Sequence, residues 1–331
     1  MNWPLLLAFA FLVLIAATVV LARRRPNIGV LASHPHPAVD YAEALQRVTA
    51  RRALEDSGHN PLCHTRLLTH GRQTARAIAF IHGYTNCPNQ FLVLGQQFHD
   101  LGYNVLLVPM PRHGLADFMT SEPSRLTAEE MAAYADDLVD IARGLGQRIT
   151  LAGLSQGGVL AGWAAQTRAD LDQAVLLAPG FGLKLVPTPL TVFAVNVALA
   201  LPEVYLWWDS LVRFKRAPPA PPGPEAVQGY PRFSVHGLAQ QLRLGLAVLA
   251  RARQSAPAAR EIIVITNGAD LAVENSVTAR LVSDWRAHGA KITAYEFPAN
   301  LQLDHDLIDP HRDNQQTGLV YPKLIELINT P

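Results

Sequence analysis

Apolar positions along the chain fall into three patterns. Residues 3–22 form an apolar run broken only by Pro4 and Thr18. At about 20 residues it would span about 30 Å as a helix, the thickness of a bilayer core. From residue 75 onward, short continuous apolar runs alternate with longer stretches that carry apolar residues at helical spacing. Strands are expected at 75–81, 104–108, 149–152, 174–179, 261–266 and 292–297, with an earlier one at 62–68. Helices are expected at 41–55, 91–101, 128–143, 158–166, 236–252, 274–288 and 321–329. Continuously apolar strands are buried on both faces, so this rhythm predicts an α/β fold with a mostly parallel central sheet and helices on both faces.

The rhythm fails between 179 and 261. Residues 190–201 are almost wholly apolar, Pro202 breaks them, and 218–224 is too rich in proline for a helix or a central strand. A helical cap inserted at about 181–257 is expected. Its apolar piece has three readings: the wall of an acyl-binding tunnel, a segment dipping into a membrane, or ordinary packing on the domain.

The N-terminal run is followed at once by Arg23, Arg24, Arg25 and Pro26, and no basic side chain precedes it. A cleaved signal peptide has the opposite arrangement. Residues 1–25 are therefore expected to be an uncleaved transmembrane anchor. Positive charge stays inside, so the expectation is a single pass of the inner membrane with the rest of the chain cytoplasmic. Residues 26–40, with His34-Pro35-His36-Pro37, read as an extended, solvated juxtamembrane spacer. That leaves 41–331 for one large catalytic domain with its cap. A net charge of +1 gives no field for nucleic acid.

The chemistry centres on Gly153-Leu154-Ser155-Gln156-Gly157, set between an expected strand and an expected helix. Strand, Gly-x-Ser-x-Gly, helix describes a nucleophile elbow: glycines two before and two after remove the Cβ atoms that a very tight turn cannot hold. The strand at 75–81 runs into His82-Gly83-Tyr84. A His-Gly there opens a loop whose next N–H, that of Tyr84, can stabilise an oxyanion together with the N–H of Gln156. His82 itself is expected to orient the loop. Asp270 follows the strand at 261–266, and His305 lies in the loop after the last strand. A serine needs a base to take its proton, and the base needs a carboxylate to hold its tautomer. Ser155, Asp270 and His305 supply all three, in the order nucleophile, acid, base. His113, His288 and His311 lie elsewhere. Asp209 in the cap is the reserve acid.

With these residues in place, the chain resembles the α/β-hydrolase superfamily from about residue 75 to its end. Within it the chain looks like bacterial serine hydrolases grouped with monoacylglycerol lipases and the serine aminopeptidase branch. The resemblance rests on His82-Gly83-Tyr84, Pro111-Arg112-His113-Gly114, Gly153 to Gly157, the Asp270 loop and His305. It implies that His113-Gly114 is structural, shaping the loop beside the nucleophile. The expected function is a membrane-anchored serine esterase acting on apolar acyl esters, with no cofactor or metal. A thioesterase, acyltransferase or peptidase could use the same triad, and a non-catalytic ligand receptor could use the same fold.

His59, Cys63, His64, His70, His82 and Cys87 crowd one region, at spacings that do not match a zinc site. If the strands at 62–68 and 75–81 paired as a hairpin, Cys63 would lie near Cys87 and a bridge could form. A bridge needs oxidising surroundings, whereas the arginines imply cytoplasm, so two free thiols are the expectation.

Overall fold

The computed structural model describes residues 3, 27–55, 58–207, 228–312 and 314–329. Its centre is a seven-stranded sheet in the order β1-β3-β2-β4-β5-β8-β9. The strands are β1 (Arg66–Leu68), β2 (Thr74–Ile81), β3 (Tyr103–Leu107), β4 (Gly146–Leu154), β5 (Gln173–Leu177), β8 (Glu261–Asn267) and β9 (Ile292–Phe297). All neighbours are parallel except β1, which runs antiparallel to β3.

Helices cover both faces. Residues of β2 divide between the two cores with the period of two that a strand imposes. Ala77, Ala79 and Ile81 face one core, and Ile78 and Phe80 face the other. The first core also takes in α1 (Tyr41–Arg52), α3 (Ala128–Leu145), α4 (Gln156–Thr167), α6 (Val235–Ala252) and α7 (Asn275–Ala287). The second is closed by α2 (Leu92–Asp100) and α8 (Thr317–Asn329). The capping box that opens α3 is present: Thr127 Oγ1 accepts from Glu130 N–H at 3.1 Å, and Thr127 N–H donates to Glu130 Oε2 at 2.9 Å.

Between β5 and β8 lies the cap. Its described part holds α5 (Thr191–Ala200), α6 and a two-stranded antiparallel ribbon of β6 (Tyr205–Trp207) and β7 (Arg232–Ser234). The ribbon was not expected; the cap is helix and strand together. Residues 208–227, which include Asp209 and the proline-rich piece, lie outside the described residues.

The expected transmembrane helix is corrected, and with it the membrane anchoring, the membrane as partner and the single-pass inner-membrane location. Among the described residues no helix is long and apolar enough to cross a membrane. The two longest, α3 and α6, have 18 residues each and carry charged side chains such as Glu129, Asp140, Arg243 and Arg251. The most apolar, α5, has only 10 residues, about half the length a bilayer core requires. The run at 3–22 itself lies outside the described residues, apart from Trp3.

Residues 27–40 turn once at Gly29-Val30 and then run without regular structure; most of them stay exposed to solvent, but the segment is fastened to the domain. Asp136 on α3 accepts from Ser33 Oγ at 2.6 Å and from His34 N–H at 2.7 Å. Asp140 accepts from His36 N–H at 3.0 Å. Arg243 and Arg251 of α6 donate to the carbonyls of Asn27 and Leu31. The same two aspartates meet the fully buried Arg168, whose Nη2 lies 2.5 Å from Asp140 Oδ1. A buried guanidinium is tolerable only with such partners.

Two further expectations change. The stretch 62–68 is a 3₁₀ turn (Pro61–Cys63) before a three-residue strand, because Pro61 and the Asn60 side chain, which accepts from Leu62 N–H, bend the chain. No β1–β2 hairpin forms, since β1 pairs with β3. Cys63 and Cys87 are nonetheless joined by a disulfide, Cα to Cα 5.3 Å, so neither thiol is free. The 3₁₀ turn brings Cys63 to the end of β2 without a hairpin.

α3 runs two residues past the helix expected at 128–143 and takes Gly144 inside it. A Cβ there would fall on the Asp40 carbonyl and 2.8 Å from Ala44 Cβ. Alanine gains about 1 kcal/mol of helix propensity over glycine, but overpacking of a rigid contact costs about 1–3 kcal/mol. Gly144→Ala is therefore expected to lower the melting temperature; a thermal melt at or above wild type would contradict the packing described.

Candidate active site

The elbow is built by steric exclusion. Ser155 has φ 57° and ψ −110°, outside the regions an L-residue favours. A Cβ at Gly153 would collide with the carbonyl of Gly157, and one at Gly157 with that of Ile81. The turn is locked by backbone bonds on both sides: Ser155 N–H donates to Leu177 O at 2.9 Å, and Gly180 N–H donates to Ser155 O at 3.0 Å. Gln156 begins α4, so the helix N-terminus and its N–H groups lie directly behind the serine.

Asp270 and His305 are brought together across 35 positions of sequence. Asp270 Oδ2 lies 2.7 Å from His305 Nδ1. Its Oδ1 accepts from Ala272 N–H at 2.8 Å and Val273 N–H at 3.0 Å. Both residues are buried. Burial alone would push the Asp270 carboxyl up; the imidazole beside it and the two backbone donors outweigh that and hold it below the usual range. Burial likewise pushes His305 down. The charge and hydrogen bond of Asp270, helped by Asp306 and Asp304, reverse the sign and raise it to about 9.

Asn267 braces this pair. It ends β8, and its Nδ2 donates to the carbonyls of Leu303 at 2.9 Å and Asp304 at 3.2 Å, while its Oδ1 accepts from Ala269 N–H at 3.0 Å. One amide thus ties the acid loop to the base loop. Sequence reasoning passed over it as the end of a strand. The signal available was an Asn-Gly at a strand's carboxyl end, where Asx side chains hold turns.

His82 is fully buried and its two nitrogens are engaged. Nδ1 donates to Gly83 O at 2.8 Å, and Nε2 accepts from Met110 N–H at 3.0 Å. That pattern requires the neutral ring. Burial, with His113 beside it, pushes its pKa to about 3. His82 therefore joins the loop after β2 to the loop after β3, the orienting part expected of it. His113 does the same one step on: Nε2 lies 2.5 Å from Tyr84 O and Nδ1 2.8 Å from Pro111 O.

Tyr84 reaches the cap. Its hydroxyl donates to Ser234 O at 3.0 Å, at the start of α6. Burial pushes the phenol well up, so it stays a donor. A second tie runs from Gln241 of α6, whose Nε2 donates to Gly180 O at 3.1 Å, against the elbow. Ser234 and Gln241 had no sequence signal, since single polar residues on a helix of unknown placement carry none.

A cleft of about 520 Å³, counting space open to solvent at its mouth, contains both Ser155 and His305. Tyr84, Leu183, Phe233, Leu238, Leu271 and Val273 make its walls apolar. An apolar lining with a few convergent polar groups is what a small organic ligand needs. Among the described residues no three His, Cys, Asp or Glu side chains converge as metal ligands. Cys63 and Cys87 are engaged in their bridge and offer no thiolate.

No curated protein sequence matches the chain. Solved structures do. A monoacylglycerol lipase from Paleococcus ferrophilus superposes with a TM-score of 0.58 at 15% identity, covering 80% of this chain and 97% of that one. A metagenome-derived lipolytic enzyme gives 0.55 at 16%, covering 81% and 98%. A soluble variant of the monoglyceride lipase of Saccharomyces cerevisiae gives 0.55 at 14%, covering 80% and 91%. At such identities the likeness speaks for the fold alone. Residues 78–316, the greater part of the sequence and all of the site above, match the profile of the Alpha/beta hydrolase family, and the chain belongs to that family.

Proposed function

We propose that the protein is a serine hydrolase that cleaves carboxylic esters with apolar acyl groups through an acyl-enzyme. The observation that carries this reading is one apolar cleft that contains Ser155 and His305, with Asp270 Oδ2 2.7 Å behind His305 Nδ1. Ser155 Oγ attacks the ester carbonyl and its proton passes to His305 Nε2. Negative charge on the former carbonyl oxygen is held by the N–H groups of Tyr84 and Gln156. His305 returns the proton to the departing alcohol. Water then gives a proton to His305, attacks the acyl carbon, and frees Ser155 and the acid. Asp270 keeps the imidazole in the tautomer with hydrogen on Nδ1 and stabilises its charged form.

Within the family we place the chain beside the serine hydrolases that resemble monoacylglycerol lipases, with the cap at about 181–257 forming the acyl side of the cleft. Lipolytic enzymes among the solved structures of the same fold make acyl esters the first class to test. A thioesterase, acyltransferase or peptidase would need the same triad. A non-catalytic receptor would need neither a strained serine nor a buried His–Asp pair.

A fluorophosphonate probe is expected to label wild type and not Ser155→Ala; equal labelling of both would falsify the assignment of the nucleophile. Among p-nitrophenyl esters, kcat/KM is expected to rise from acetate to medium-chain acyl groups, roughly tenfold for each few methylenes buried at about 0.8 kcal/mol per CH₂. A preference for acetate would remove the apolar pocket from the account.

The base form of His305 is the neutral ring, so raising its pKa moves the working range towards alkali. With that pKa at about 9, kcat/KM is expected to climb with pH as one proton is lost near 9. Asp270→Asn removes the main influence that raises it. The limb should then move to lower pH, on a plateau reduced by about 10⁴. A wild-type limb at or below the ordinary histidine value of about 6.5 would contradict the pairing described.

A further inference from the structure

Gln90 is a fully buried amide outside the triad, and both of its ends are used. It sits in the single 3₁₀ turn Pro88–Phe91 that follows the oxyanion loop. Its Oε1 accepts from Gly83 N–H at 2.9 Å. Its Nε2 donates to Asp306 Oδ1 at 3.3 Å. Asp306 is the residue after His305, and Arg312 holds it from the other side. One side chain therefore spans the loop that carries Tyr84 and the loop that carries the base. Gly83 has room for a Cβ, at 3.6 Å from Gln90 Oε1 and 3.9 Å from Asp306 Oδ1, so packing alone does not set its position. Its hydrogen bonds do, and the one at its N–H comes from Gln90.

A second clasp runs beside the first. Asn86 Nδ2 donates to Asp309 Oδ2 at 2.9 Å, and Gln228 Nε2 donates to Asp309 Oδ1 at 3.1 Å. Asn89 Nδ2 in turn donates to Gln228 Oε1 at 2.6 Å. The disulfide at Cys87 fixes the same turn from outside. These bonds fix where the loops lie; at Gly83 itself the carbonyl is held by His82 Nδ1 at 2.8 Å and Asn86 N–H at 3.0 Å, and Gln90 holds the N–H and is the one of the three that also reaches the His305 loop. With Gly83 N–H committed, the N–H of Tyr84 is the next donor along the loop, and its aim follows from where Gly83 is pinned.

We infer that Gln90 is a positioning residue for the reaction: it locks the oxyanion loop to the His305 loop, so that the Tyr84 donor and the base keep one fixed geometry. The inference rests on the serine hydrolase reading above. A displaced oxyanion donor weakens the transition state more than the ground state, and outright loss of one donor costs about 10²–10³ in kcat.

The test uses the whole chain, with kcat expressed per active site titrated by fluorophosphonate, so that a merely unfolded fraction drops out. Gln90→Leu is expected to lower kcat per site about 10–100-fold with KM within about twofold. Affinity for a trifluoromethyl ketone, which forms an oxyanion on Ser155, should fall in parallel. Gln90→Glu sets two carboxylates against each other and should lose a similar factor. Adding Asp306→Asn restores a donor to that acceptor and keeps the charge of the pair, and should recover at least tenfold over Gln90→Glu. Should Gln90→Leu not fold, this comparison decides. Gln90→Leu within about threefold of wild type per site overturns the inference, as does a double variant no better than Gln90→Glu. Wild type without Ser155-dependent turnover overturns the hydrolase reading itself, and the inference falls with it.

Discussion

A serine can stand at a φ of 57° only where nothing with a Cβ lies two residues to either side, and that steric condition organises the protein. Gly153 and Gly157 meet it, and in doing so they bring β4, α4 and the end of β2 into backbone contact. The sheet must then place the short, fully buried β5 beside β4, since Ser155 N–H is held by the carbonyl of Leu177, with the buried carboxyl half of β2 on the other side. Strain of about 1–3 kcal/mol at such a residue persists only because the surrounding sheet overdetermines it. The site is thus a property of the sheet's middle, and the loops that complete it come from strand ends on either side.

Electrostatics supplies the second half. Asp270 and His305 are both buried, where each alone would tend to lose its charge. Together they reverse that tendency, the acid held low and the base raised. His82, equally buried but facing a carbonyl and an N–H rather than a carboxylate, is driven the other way, to about 3. Two buried histidines of one fold are therefore pushed in opposite directions, and the difference is the carboxylates beside His305, Asp270 first among them. That contrast separates the ring that can exchange a proton from the ring that only holds a loop.

How much of this was readable from the sequence depends on how local each cause is. The central strands were legible because continuous apolar runs need no tertiary information, and the elbow because its glycines act on their own neighbours. The start of the helix expected at 128 has a local cause as well, the reciprocal bonds of Thr127 and Glu130. The order of Ser155, Asp270 and His305 could be read, but their closeness could not. Where a residue acts through a distant partner, the pattern was silent: Asn267, Gln90 and Gln241 each make decisive hydrogen bonds with residues far along the chain. The helix expected at 128–143 runs on to Leu145, because Gly144 ends nothing and instead makes room for the Asp40 carbonyl. The stretch 62–68 was misread as one strand because its apolar pattern outweighed Pro61, and β1 found β3 rather than β2. The apolar N-terminal run invited a membrane anchor, yet the most apolar helix among the described residues is only ten residues long.

The cap leaves the sheet after β5 and returns at β8, and those two strands are direct neighbours. They run parallel, so the chain leaves at the carboxyl end of β5 and must cross back over the sheet to re-enter at the amino end of β8, and α6 makes that crossing. Two of the cap's hydrogen bonds reach the oxyanion loop and the elbow, Tyr84 to Ser234 and Gln241 to Gly180, while Leu244, Ala247 and Val248 of α6 are built into the core beneath the sheet. The stretch before α6 is therefore the freer part of the insertion, while α6 must keep the apolar face that the core beside the elbow requires.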